Sequence, residues 1–172
     1  MNIQDKINTY CDLGLNEPIK NKKYGFKLDI GVHKNLELEQ EEFCFDFNSI
    51  DDSVTLLINS KEQIVAEKLK SLLKKGATST RYKDVFDIYY LIKINPVDKE
   101  SLKYLLIDYI LNDSNMKENT FCSIYNRLNN VFNNNRYLKS LDNARDNWLE
   151  LPINEVTEVI LNFFESFEVV EV

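Results

Sequence analysis

Histidine is almost missing from this chain: its 172 residues hold one, His33. Catalysis that pairs an imidazole with Ser or Cys, and metal sites built from imidazoles, have almost no material here. His33 has no evident partner and receives no catalytic role. Cysteine helps metal chemistry no more. Cys11, Cys44 and Cys122 are odd in number and far apart, with no Cys-x-x-Cys spacing, so no zinc site or disulfide framework is read. They are expected to be buried or idle reduced thiols of a cytosolic protein. Only 4 Gly and 3 Pro argue against a loop-rich or disordered chain. No run approaches the ~20 apolar residues of a membrane span. Met1 is followed by polar residues rather than a signal-peptide core. The expected location is cytoplasmic, with no membrane partner.

What is present suits one folded domain or a large piece of one. Hydrophobic residues make up 44% and include 10 Phe and 9 Tyr, enough for a core of large side chains. The net charge of −7 argues against general nucleic-acid binding, because phosphates would be repelled. The charge is uneven, however. Residues 61–83 carry Lys61, Lys68, Lys70, Lys74, Lys75, Arg81 and Lys83 against Glu62 and Glu67, whereas residues 150–172 carry Glu without any Lys or Arg. A phosphate-bearing ligand is drawn to the middle of the chain.

The hydrophobic period divides the chain. Residues 1–23 read as a polar lead-in. Phe26, Leu28, Ile30 and Val32 alternate with Lys27, Asp29 and Gly31, the period-2 pattern of a half-buried strand. Phe43–Phe47 suggests a second strand, and the apolar run Val54–Ile58 a third, more buried one. After Ser60 the period becomes helical. Ser60 and Gln63 are spaced as a capping box, Ile64, Val65, Leu69, Leu72 and Leu73 form a stripe, and Gly76 is placed to end the helix. Thr78, Ser79 and Thr80 offer caps for a second helix to about Lys93, with Tyr82, Val85, Phe86, Tyr89 and Tyr90 as its stripe. Further helices are expected near Lys99–Leu111, Lys117–Phe132 and Asn154–Phe167, with Asn129–Asn135 as a helix end and loop. Strands followed by helices give an α+β fold.

Three residues stand out chemically. Lys68 lies inside the apolar arc of its helix, where an ammonium is costly to bury. It either snorkels its tip to water or faces an opposite charge. Asp84 and Asp87, three apart, project from neighbouring positions on one helix. They read either as early-turn acids on a solvated face, paired with Arg81 or Lys83, or as functional carboxylates. The short Gly76–Ser79 link predicts an antiparallel helix hairpin behind a sheet containing Phe26–Val32, with Lys68 converging on Asp84 or Asp87.

Together these positions resemble a family. The run Ile58-Asn59-Ser60-Lys61-Glu62-Gln63-Ile64-Val65-Ala66-Glu67-Lys68-Leu69, then Gly76, then Ser79-Thr80-Arg81-Tyr82-Lys83-Asp84-Val85-Phe86-Asp87-Ile88-Tyr89-Tyr90-Leu91, is similar to the signature of AbiEii/AbiGii nucleotidyltransferase toxins. That signature is an Ala-Glu-Lys-Leu helix, a Gly, and Arg-x-Lys-Asp-x-x-Asp-Leu opening the next helix. Leu28-Asp29-Ile30-Gly31 resembles the family's preceding strand, and Thr120-Phe121, Trp148 and the apolar 155–167 helix follow in similar order. The resemblance spans roughly residues 24–172.

The resemblance implies transfer of a nucleoside monophosphate from an NTP to an RNA or protein acceptor, with Mg²⁺ as cofactor and a cognate antitoxin as partner. Lys68 would neutralise triphosphate charge, with Arg81 and Lys83 as further nucleotide-binding cations. Asp84 or Asp87 would act as base or orient Lys68, and Asp29 would be a metal-binding carboxylate. The implied organisation is a lead-in over 1–23, a partial nucleotidyltransferase core over 24–95 and a helical region over 96–172. The chain departs from the family in one respect that bears on activity. The Gly-rich turn and Arg-x-Thr-x-Asp-x-Asp segment, whose aspartates hold the metals, have no match. Asp46, Asp51 and Asp52 lack that spacing, and Gly31 is followed by Val32-His33-Lys34 in place of Asp. The expectation is an incomplete site, inactive as this chain alone. The alternative is a non-catalytic remnant that binds a nucleotide or an antitoxin.

Overall fold

The computed structural model describes residues 8–9, 28–29, 40–47, 52–143, 145 and 147–167. The chain divides into two compact units, Met1–Leu38 and Glu39–Val172. In the first, β1 (Asn8–Thr9) and β2 (Leu28–Asp29) pair antiparallel, with Asn8 opposite Asp29 and Thr9 opposite Leu28. The rest of the expected strand Phe26–Val32, and His33, lie outside the described residues.

The second unit opens with a hairpin and continues as helices, the α+β order expected from the change of period. Strands β3 (Gln40–Phe47) and β4 (Asp52–Asn59) pair antiparallel from Gln40 opposite Asn59 to Phe47 opposite Asp52. The expectation that Val54–Ile58 is a buried strand needs correction: Leu56 and Leu57 are 51% and 61% exposed. A two-stranded ribbon has no second layer of its own to cover its apolar side chains.

Helix α1 spans Lys61–Lys75. The Ser60 hydroxyl accepts the Gln63 amide at 3.1 Å. The reciprocal half of the expected capping box is missing, because Gln63 Nε2 donates to Glu67 one turn on instead. Of the expected stripe, Val65, Leu69, Leu72 and Leu73 are buried, with Ala66 beside them, while Ile64 is only half-buried. Gly76 ends the helix at φ 57°, ψ −142°, a conformation open in practice to glycine. A Cβ there would lie 2.5 Å from the Arg127 guanidinium.

Helix α2 (Tyr82–Tyr89) begins without a side-chain cap, so Thr78, Ser79 and Thr80 do not play the expected part. The Thr78 hydroxyl bonds Lys75 O, and the Ser79 hydroxyl accepts the Arg81 amide. Beyond α2 the chain makes a π turn over Tyr90–Ile94, closed by Asn95 N–H donating to Tyr90 O. Helices α1 and α2 run antiparallel. Lys61, at the start of α1, reaches Asn95 and Pro96 beyond the end of α2, while Lys68 meets the first turns of α2.

The remaining helices are α3 (Lys99–Leu106, extended by a second π turn to Leu111), α4 (Phe121–Phe132), α5 (Asn135–Asp142) and α6 (Ile153–Glu165). The Asn-rich run is the expected helix end and loop, closing α4 at Phe132 and linking through Asn133 and Asn134, but it also starts a helix that was not expected, α5. Asn134 caps it by accepting the Tyr137 amide at 3.0 Å, so part of the polar run serves as a helix start. Side chains tie the array together: Glu62 accepts the Asp98 amide at 2.7 Å, and Tyr89 donates to Glu155 at 3.2 Å.

Candidate functional site

The Lys68 ammonium leaves the apolar arc of α1 and enters a pair of carboxylates on α2. Its Nζ lies 2.8 Å from Asp84 Oδ1 and 2.9 Å from Asp87 Oδ2. The side chains are 21%, 6% and 19% exposed, so the cluster sits in a low-dielectric setting open at one side. Burial pulls the Lys68 pKa down, but the hydrogen bonds and charges of the two aspartates outweigh it and hold the group above its ordinary value. The ammonium is therefore charged at neutral pH.

The second charge is Arg81. Its Nε lies 2.6 Å from Asp84 Oδ2 as an ion pair off hydrogen-bond alignment, and a terminal nitrogen donates to Oδ1 at 3.3 Å. Arg81 is 64% exposed, so it flanks the opening. Lys83 is exposed and makes no hydrogen bond or ion pair with the cluster among the described residues; it is one position round the helix from Asp84, on another face. Asp29 is described only as a strand residue of the other unit, opposite Asn8.

Sequence reasoning missed two neighbours. Trp148 donates its indole N–H to Asp87 Oδ1 at 3.1 Å across 61 positions, a link that no local spacing reveals. Its ring centroid lies 5.3 Å from that of Tyr90, which opens the π turn after α2, three residues beyond Asp87. Tyr137, on the unexpected α5, is buried, with its ring 5.8 Å from Tyr82 and its hydroxyl unpaired. Burial, then Tyr82 and Asp84, push its pKa up, so it stays neutral beside the cluster.

All four oxygens of Asp84 and Asp87 are thus engaged by Lys68, Arg81 or Trp148. A divalent cation needs free carboxylate oxygens at short range, so these two aspartates do not fit one as arranged. No cluster of three or more His, Cys, Asp or Glu suited to a metal occurs among the described residues. No helix among them is long and apolar enough to cross a membrane.

A family model described as the nucleotidyl transferase AbiEii toxin of type IV toxin–antitoxin systems matches residues 16–168. No curated protein matches the chain, and no solved structure does.

Proposed function

The chain belongs to the nucleotidyl transferase AbiEii toxin family, and from that premise we propose that Lys68, Asp84 and Asp87 form the nucleotide-handling part of its site. The observation that carries this reading is the placement of one ammonium within 2.9 Å of two carboxylates, near the surface rather than sealed in the core. In nucleotidyl transfer an acceptor hydroxyl oxygen bonds to the α-phosphorus of an NTP, the bond to pyrophosphate breaks, and the hydroxyl proton passes to a base. Charge grows on the phosphate oxygens as this happens, and a fixed cation stabilises it. Lys68 is that cation, with exposed Arg81 as a second one at the rim.

Asp84 is the more buried acid and holds both Lys68 and Arg81, which suits it to orient the cations. Asp87 is less buried and holds Lys68 with one oxygen and Trp148 with the other, which makes it the better placed of the two to meet an acceptor. The acceptor class is RNA or protein, and an antitoxin is the expected partner. Mg²⁺ serving this chemistry needs carboxylates other than Asp84 and Asp87.

No Asp-x-Asp occurs in the sequence, and on that ground the 172-residue chain alone binds an NTP without transferring it. A second reading, a module that binds nucleotide or antitoxin without catalysis, is favoured by the same lack of free carboxylates. Equilibrium dialysis with labelled NTPs and MgCl₂ tests the shared element of both. Retention by the chain that falls at least tenfold in Lys68→Met supports it. Equal retention by the two proteins removes Lys68 from nucleotide binding. Incubation with labelled NTP and RNA or protein then separates the two: robust Mg²⁺-dependent labelling by the purified chain shows a working metal site that the sequence reading overlooked.

A further inference from the structure

Trp148 is the one tryptophan of the chain and is 47% exposed, although large apolar rings are usually better covered. It is held in place despite that exposure. Its N–H is fixed on Asp87 Oδ1, and Tyr90 packs against it with ring planes at 54°. The turn that carries it is closed by Glu150 N–H donating to Asn147 O, and by Asn147 Nδ2 donating to Leu151 O. Glu150 takes φ 54°, a left-handed conformation that is strained for a residue with a side chain. A strained, hydrogen-bonded turn therefore presents a half-exposed indole next to the cluster.

The carboxylate of Asp87 is the ruler for what fits there. One oxygen holds the Lys68 ammonium at 2.9 Å and the other holds the Trp148 N–H at 3.1 Å. A cation suited to phosphate and an aromatic face thus sit on opposite oxygens of one side chain. A nucleotide has the matching pair of features, an anionic tail and a flat π-system. The π-face of any base stacks on an aromatic ring without needing a charge or a specific hydrogen bond.

We propose that Trp148 is the stacking platform for the base of the nucleoside triphosphate, with Tyr90 buttressing the indole and Asp87 fixing its edge. This rests on the reading that Lys68 meets the phosphates. It adds a binding residue 61 positions from Asp87, outside the signature run. Stacking tolerates any base, and purines offer the larger face.

Because Trp148 is the only tryptophan, its fluorescence reports on the site directly. The experiment titrates the full chain with ATP in MgCl₂, reads indole emission, and measures ATP binding independently by equilibrium dialysis. The expected result is quenching with the same midpoint as dialysis, with Trp148→Ala weakening dialysis binding about tenfold, the scale of one base–ring stack. Trp148→Phe keeps a ring but loses the N–H, and is expected to stay within about threefold of wild type. Circular dichroism melts confirm that both variants fold. If ATP binds and Lys68→Met abolishes it while emission and the Trp148 variants leave binding unchanged, the platform is overturned and the phosphate reading stands. If Trp148→Phe is as weak as Trp148→Ala, the N–H and not the stack is what matters, and the platform is likewise overturned. If no ATP is retained by wild type, both readings fall together.

Discussion

The chemistry at Lys68 follows from a conflict within one helix turn. Lys68 sits where its neighbours Val65, Leu69 and Leu72 are buried, so its charge needs a partner or a route to water. The sequence posed that choice, and the apolar arc was enough to direct attention to the neighbouring helix. That both Asp84 and Asp87 answer it depends on the length of the link and the hairpin's packing. Replacing Lys68 with Met leaves two carboxylates facing each other with Arg81 holding one. The expected cost is about 1–3 kcal/mol, between that of an exposed and a buried pair, read by urea denaturation. The sign with pH is fixed by the raised Lys68 pKa. Its stabilisation is fully present below the unfolded lysine value and is lost as pH rises through the higher folded value. Tyr89, raised by burial and then Glu155, and Tyr137, raised by burial and then Tyr82 and Asp84, add to the loss on the same alkaline side, because each ionises less readily in the folded state than in the unfolded chain. Melting midpoints are therefore expected to fall above pH ~10, less steeply in Lys68→Met than in wild type. Identical alkaline slopes in the two proteins would show that the pair contributes nothing to folding.

Among the elements, helices with a long apolar stripe were legible and those made by caps were not. The stripe and Gly76 give α1 its extent, since a periodic face and a terminal glycine are both local signals. Helix α5 was missed because Asn133, Asn134 and Asn135 look like loop, while the event that starts the helix is one Asn134 side chain reaching the Tyr137 amide. The third strand was misread as buried because an apolar run does not say whether a second layer exists to cover it. Gly76 joins two elements: its positive φ turns α1 toward α2, and its missing Cβ leaves room for the Arg127 guanidinium from α4. Gly76→Ala is expected to destabilise by about 2 kcal/mol, chiefly because a side chain strains the positive φ, while the flexible end of Arg127 has to shift aside for the methyl group. Thermal melts check this. A loss no larger than that of Arg127→Ala would assign the effect to the guanidinium contact and not to the backbone.

At the scale of the whole molecule, the sequence carried the site from α1 to the start of α2 and stopped there. The signature run is continuous in the chain, so Lys68, Arg81, Asp84 and Asp87 were found as one constellation. Trp148 and Tyr137 were not, because 61 residues separate Trp148 from Asp87 and only the packing of the helical unit brings them close. The match over residues 16–168 places the chain in its family, but what its cluster does rests on whether the Lys68 ammonium meets phosphate. Ligand-induced thermal stabilisation measures that most directly, since a ligand that binds the folded state raises the melting midpoint. With ATP and MgCl₂ far above the dissociation constant, wild type is expected to gain about 5–10 °C and Lys68→Met almost none. An equal gain in both proteins would place the nucleotide away from Lys68 and contradict the assignment of this cluster.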